Sequence, residues 1–385
     1  MWGAPGYADS AQRCIAALVE RGLPVTWQPM HYYGRQGGLV PVSAAEVHGH
    51  PLAALWQRPT DYDTVLFQVI PHPGLPAWMD REAGKHQLLS VAWETDRLPA
   101  DWPPLLNAFE RVLVPSEWNR QVCQASGVRA PVEVVPHLPP QPEALEAAGQ
   151  RPLAAGPFVF YTIGEWTRRK AFSDLLAAYW QAFSAADPVR LVIKTSRLDL
   201  TLATNRRGLR WLWRQAGTTR LALLRQQARQ QLRRPGRLAP VELLDQPLPA
   251  AAMAALHARG DAYVSLTRGE GWGLGAYDAA ARGKPVIMTG WGGQLDFLPA
   301  GAAYRVDYRL APARGGVYEA GFTPEQRWAQ ADPRHAAQLM RQVVAHPAEA
   351  RARGQALQRY IGARFNARQI VDRLLQALAG AAAAN

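Results

Sequence analysis

Glu270 and Asp278 bracket a glycine-rich stretch, Arg268-Gly269-Glu270-Gly271-Trp272-Gly273-Leu274-Gly275-Ala276-Tyr277-Asp278. It follows an apolar strand and opens a helix. Glycines let the backbone approach a ligand closely, and the N–H groups at a helix start attract an anion. A carboxylate beside a phosphate would repel it. Two acids at this spacing therefore suit the neutral hydroxyls of a sugar, which can donate hydrogen bonds to them. The plain alternative is a strand–helix turn with an acid in the early helix.

A second stretch, Gly164-Glu165-Trp166-Thr167-Arg168-Arg169-Lys170-Ala171-Phe172, leads from a strand into another helix. Three cations at a helix N-terminus oppose its dipole, which favours negative charge there. Broken local rules of this kind tend to mark functional sites. A bound diphosphate would resolve the conflict, drawn both by Lys170 and by the helix start.

Other constellations carry less. Gly271-x-Gly273-x-x-Ala276 matches the dinucleotide fingerprint of a nicotinamide-dependent oxidoreductase,. That fold needs an acid at the end of the next strand, which here runs into Met288-Thr289-Gly290-Trp291, with Asp296 only beyond a glycine turn,. Asp61-Tyr62-Asp63 precedes its strand, at the edge where ligands do not bind, and His48-Gly49-His50 is too sparse for zinc,. His72 follows a strand and reads as structural. The two cysteines, Cys14 and Cys123, exclude a disulfide framework and a cysteine-built zinc site,.

These residues need strands and helices to bring them together, and 385 residues predict two domains,. In the first half a helix over 8–21, closed by Gly22, precedes strands at 24–27, 64–70, 87–93, 111–114 and 132–135. A Pro-, Ala- and Gly-rich linker spans 138–157. Strands follow at 158–163, 190–194, 241–244, 262–266 and 285–288, with helices at 170–183, 250–258 and up to Gly283. Continuous apolar strands between helices imply parallel sheets covered on both faces. The expected domains are residues 1–147 and 148–366, with a terminal helix and tail over 367–385. Two such halves place a cleft between them, with ligands at the C-terminal strand edges.

No uncharged apolar run is long enough to span a membrane, and no secretory signal is visible at the N-terminus,. The charge of +12 is local: ten arginines and no acid lie between Arg206 and Leu238. In that insert Leu221, Leu224, Ala228 and Leu232 share a helical face beside Arg225, Arg229 and Arg233, with Trp211 and Trp213 ahead of them,. This pattern suits an anionic membrane surface, or a docked helix with a solvated basic side. Nucleic acid is the rival partner, but no basic density or nucleic-acid motif supports it elsewhere in the chain.

The two stretches above resemble glycosyltransferase family 4, retaining enzymes of GT-B fold that use nucleotide-sugars. Glu270 to Asp278 resembles the family's acid-x7-acid signature, followed by Arg282-Gly283-Lys284-Pro285-Val286-Ile287, and Arg169-Lys170 resembles its cation motif. The N-terminal half is similar to a bacterial subgroup through Gly6-Tyr7-Ala8, Trp93-Glu94-Thr95-Asp96-Arg97-Leu98-Pro99, Val114-Pro115-Ser116-Glu117-Trp118-Asn119-Arg120 and Val134-Val135-Pro136-His137.

The resemblance implies an α/β protein of two Rossmann-like domains facing across a cleft. It implies a hexosyltransferase moving sugar from a GDP- or UDP-type donor to a hydroxyl of a saccharide or lipid-linked acceptor. Bacterial surface polysaccharide or glycolipid synthesis is the implied setting, in the cytoplasm or peripherally on the membrane. Catalysis would rest on Glu270, Lys170 and Arg169, and donor binding on Gly271, Trp272, Gly273, Leu274, Asp278 and Thr195. Gly6, Tyr7 and Glu94 would serve the acceptor side, with no metal and no cofactor besides the donor. Three departures stand out: Asp278 is one methylene shorter than the family's glutamate, Glu165 replaces a common arginine, and no histidine follows the strand ending at Trp93-Glu94.

Overall fold

The computed structural model describes residues 5–32, 38–140, 156–196, 237–315 and 321–382. Nearly all of the arginine-rich insert and most of the expected linker lie outside the described residues. The chain divides into two compact units: Met1–Trp93, Arg97–Leu138 and Phe365–Asn385 form the first, and Glu94–Asp96 with Pro139–Arg364 the second.

In the first unit a helix, Pro5–Glu20, leads the chain and ends before Gly22, whose φ of +78° stops it,. An antiparallel pair follows, β1 (Met30–Tyr32) with β2 (Leu39–Pro41). The main sheet is parallel, in the order β3 (Thr64–Gln68), β4 (His86–Ser90), β5 (Arg111–Val114) and β6 (Val132–Val134). Leu88, Leu89, Val112, Leu113 and Val114 are buried in it, as the unbroken apolar runs require. The segment 24–27 is not a strand: only Trp27 pairs, in a single bridge to Trp56.

The motif 114–120 has a local structural reason. Ser116 caps the helix Glu117–Ala125 by accepting from Asn119 N–H at 3.1 Å,. The Asn119 amide in turn holds both the carbonyl and the N–H of Trp93.

The second unit is a six-stranded parallel sheet built from β7 (Phe158–Ile163), β8 (Val189–Lys194), β9 (Val241–Leu244), β10 (Ala262–Ser265), β11 (Val286–Thr289) and β12 (Tyr304–Val306). Its order is β12-β11-β10-β7-β8-β9. The chain winds outward from β7 in one direction and from β10 in the other, so strand order reverses between them. The crevice at the carboxyl ends of those two strands is where sheets of this kind bind ligands. An antiparallel pair, β13 (Tyr308–Pro312) with β14 (Arg327–Ala331), and the helices Pro333–Ala345 and Pro347–Arg364 complete the unit.

The last helix, Ala367–Ala382, returns to the first unit. Leu374 and Ala377 join Leu18, Leu88 and Leu113 in one core cluster.

Candidate functional site

Both sequence-marked loops leave the sheet at the reversal point. The loop after β7 is anchored by Trp166, which is buried edge-on against Phe172 with ring centroids 5.2 Å apart. The loop after β10 is tied to it where Arg268 N–H donates to the Arg169 carbonyl at 2.8 Å. The Lys170 stem packs over Gly164, 3.4 Å from where a Cβ would stand.

Around this junction the side chains form one ion cluster. Lys170 Nζ donates to Glu270 Oε1 at 2.5 Å, and Arg169 Nη1 donates to Glu270 Oε2 at 3.0 Å. The same Nη1 reaches the Gly269 carbonyl at 2.8 Å, while Arg169 Nη2 lies 3.5 Å from Glu94 Oε1. Thr267 Oγ1 adds a bond to Glu270 Oε1 at 2.8 Å. Burial alone would raise the Glu270 pKa, but the charges of Lys170 and Arg169 outweigh it and hold the group at about 2,. Glu270 is therefore a buried anion bonded to both cations. The cations that the sequence assigns to a phosphate are met here by the acid that it assigns to a sugar.

This pairing also answers the conflict at the helix after β7. That helix begins at Phe172, with Asp174 in its first turn and paired to Arg268 at 3.1 Å. Arg169 and Lys170 turn away to Glu270, and only Arg168 is exposed to solvent. Protein carboxylates compensate the dipole mismatch.

The glycine turn is shaped by the same close packing. Gly273 has φ of +94° and caps the helix Leu274–Ala281, a conformation that side-chain-bearing residues rarely adopt. A Cβ on Gly269 would overlap the Glu94 carbonyl oxygen. One on Gly275 would stand 2.7 Å from the Tyr263 hydroxyl. Trp272 is buried, packed against Tyr277 and Phe297 at centroid distances of 5.1 and 5.0 Å. Its ring pins the turn.

The remaining expected residues are dispersed. Asp278 is half-buried in the helix, and after burial and Tyr263 its charge is among those acting on the Tyr161 hydroxyl. Thr195 sits buried just past β8, its N–H on the Leu244 carbonyl and its hydroxyl without a hydrogen bond among the described residues. Gly6 and Tyr7 lie in the first turn of the helix Pro5–Glu20. Tyr7 bonds the Ala92 carbonyl at 3.3 Å. Glu94 packs with the second unit and faces Arg169.

Sequence reasoning missed Thr267 and Tyr263. The Tyr263 hydroxyl is raised in pKa by burial and then by the Glu270 charge. A lone hydroxyl within or just past a strand carries no sequence signal, so neither could be picked out. His72 is buried, with Nδ1 accepting from Gly74 N–H at 3.1 Å. Asp296 lies in a short helical turn beyond β11, and the glycine fingerprint follows β10, the fourth strand of its sheet and not the first. That placement is unlike a dinucleotide site. Among the described residues no group of three or more His, Cys, Asp or Glu could hold a metal ion, and no helix is long and apolar enough to cross a membrane.

No protein-family model matches the sequence, and no curated protein matches it. Solved structures do. Sucrose-phosphate synthase from Thermosynechococcus elongatus superposes with a TM-score of 0.57 at 18% identity, covering 84% of this chain and 74% of that one. The α,α-trehalose 6-phosphate synthase of Burkholderia multivorans gives 0.58 at 14% identity, covering 89% and 74%. The UDP-forming α,α-trehalose-phosphate synthase of Burkholderia xenovorans, in complex with glucose-6-phosphate, gives 0.58 at 12% identity, covering 82% and 74%. At such identities the likeness is one of fold, and the fold is GT-B, two Rossmann-like units with parallel sheets.

Proposed function

We propose that this chain is a glycosyltransferase that moves a hexosyl group from a nucleotide-diphosphate donor to a hydroxyl of a saccharide or lipid-linked acceptor. The observation that carries the reading is the junction of Arg169, Lys170 and Glu270 at the strand-order reversal, beside the start of the helix Leu274–Ala281. Likeness in fold to a synthase described as UDP-forming and bound to glucose-6-phosphate supports it.

The chemistry follows from charge. Glycosyl transfer leaves negative charge on the departing diphosphate. Lys170, Arg169 and the first amides of a helix, which have no partner within it, stabilise that charge without a metal. As the cations move toward phosphate, Glu270 is released to accept hydrogen bonds from the sugar. Asp278 serves the ribose, Thr195 the donor's base side, and Gly6 and Tyr7 the acceptor. Retention of anomeric configuration, with the departing phosphate deprotonating the acceptor on the same face, comes from the family-4 resemblance. So does a setting in bacterial surface polysaccharide or glycolipid synthesis, at the cytoplasmic face of a membrane that the basic insert would touch.

Thermal-shift screening against UDP, GDP, dTDP and ADP with their sugars identifies the donor. With that donor, Lys170→Ala lowers transfer by about two orders of magnitude or more while the fold survives, the scale of one lost electrostatic stabiliser. Near-normal turnover in Lys170→Ala removes the assignment. Transfer also persists in excess chelator; complete loss there means that a metal takes part.

A further inference from the structure

We infer that Thr267 is a positioning residue that holds Glu270 in place for the sugar of the donor. The inference rests on the glycosyltransferase reading and deepens it. Thr267 is fully buried just past the end of β10. Its carbonyl accepts from Thr289 Oγ1 at 2.7 Å, so the residue is fixed to the next strand. Its hydroxyl has three acceptors in reach: the carbonyls of Arg169 and Gly269 at 3.4 and 3.3 Å, and Glu270 Oε1 at 2.8 Å. A hydroxyl has one proton to give, and the charged, nearest acceptor takes it.

The consequence lies in how the carboxylate is filled. Each carboxylate oxygen has about two acceptor positions. Among the described residues Oε1 receives Lys170 and Thr267 and is full, whereas Oε2 receives Arg169 alone. The open position is on Oε2, and that is where a sugar hydroxyl would donate. Thr267 matters more once a diphosphate is bound. Lys170 and Arg169 are then drawn to phosphate, and the uncharged Thr267 is the partner that stays. Without it the carboxylate is free to swing away from the sugar, and the hydrogen bond to the sugar is lost.

The test compares ligands with and without the sugar. Titrations of the full chain with UDP and UDP-glucose, and with GDP and GDP-mannose, are run on wild type, Thr267→Val and Thr267→Ser. Using the pair that wild type binds, Thr267→Val is expected to lose the extra affinity or turnover due to the sugar by about tenfold or more, the scale of a lost bond to a charged group. Affinity for the bare nucleoside diphosphate is expected to stay within about twofold, and Thr267→Ser restores the sugar preference. If Thr267→Val does not fold, Thr267→Ala carries the same comparison. Equal losses for both ligands make the residue merely structural and overturn the inference, as does an unchanged preference in Thr267→Val or a Thr267→Ser as impaired as Thr267→Val. If wild type binds neither of these pairs nor dTDP, ADP or their sugars, the glycosyltransferase reading falls first and the inference with it.

Discussion

Glu270 is the residue on which the local electrostatics turn. In this structure two cations and a hydroxyl hold its buried carboxylate as an ion,. Glu270→Gln removes the charge but keeps the shape. It frees Lys170 and Arg169 and takes away repulsion toward a bound diphosphate. Calorimetry is expected to show nucleoside diphosphate bound as tightly as in wild type or more tightly, while sugar transfer drops by about a hundredfold. Weaker diphosphate binding would mean that Glu270 does not compete with phosphate for the two cations. The same carboxylate sets a pH dependence. Its folded pKa lies at about 2, against an ordinary 4.5. A depressed carboxylate stabilises the fold above its unfolded pKa and loses that contribution as pH falls from about 4.5 toward 2. Melting temperatures of wild type should therefore fall more steeply over that window than those of Glu270→Gln.

Among the elements, the helix Leu274–Ala281 shows how close contact dictates residue type. Its first turn rides over β10, with Gly275 against the Tyr263 hydroxyl. Gly275→Ala forces a methyl into that contact and is expected to destabilise the protein by about 1–3 kcal/mol, the usual cost of overpacking. Tyr263→Phe removes the atom that the methyl meets, so the double variant should recover part of the loss. Thermal melts of the four proteins in a cycle check this, and strict additivity would mean that the two residues do not share the contact. The loop after β7 stores strain of its own. Ala171 has φ of +50°, an unusual backbone for alanine that costs about 1–2 kcal/mol,. Such strain persists where surrounding contacts hold it, and here Trp166 and the pairing of the two loops do so.

For the whole molecule, the notable feature is that the chain's end completes its beginning. Leu374 and Ala377 pack with Leu18, Leu88 and Leu113, so the core of the first unit closes only when the last helix has docked. Leu374→Ala should cost about 2–5 kcal/mol, and a melt of the full chain should show the loss. A shift within error would mean that the terminal helix is dispensable to that core. The sheet order of the second unit has a comparable reach. It brings loops roughly a hundred residues apart in sequence to one junction,.

The sequence by itself determined the two-part α/β plan, most strand positions and the two loops that matter. Apolar runs and glycine turns are local signals, read from neighbours in the chain. β5, β7 and β9 fall where their apolar residues place them, and Glu270, Arg169 and Lys170 stand out by type and spacing. Pairing is a non-local property, decided by strand order and by which side chains that order leaves in reach. Only the tertiary structure could turn the cations onto Glu270, bring Thr267 to its oxygen, seat Glu94 beside Arg169 and return the last helix to the first unit. The segment 24–27 illustrates the limit: an apolar tetrapeptide becomes a strand only where a neighbouring edge accepts its hydrogen bonds, and here only Trp27 meets one,.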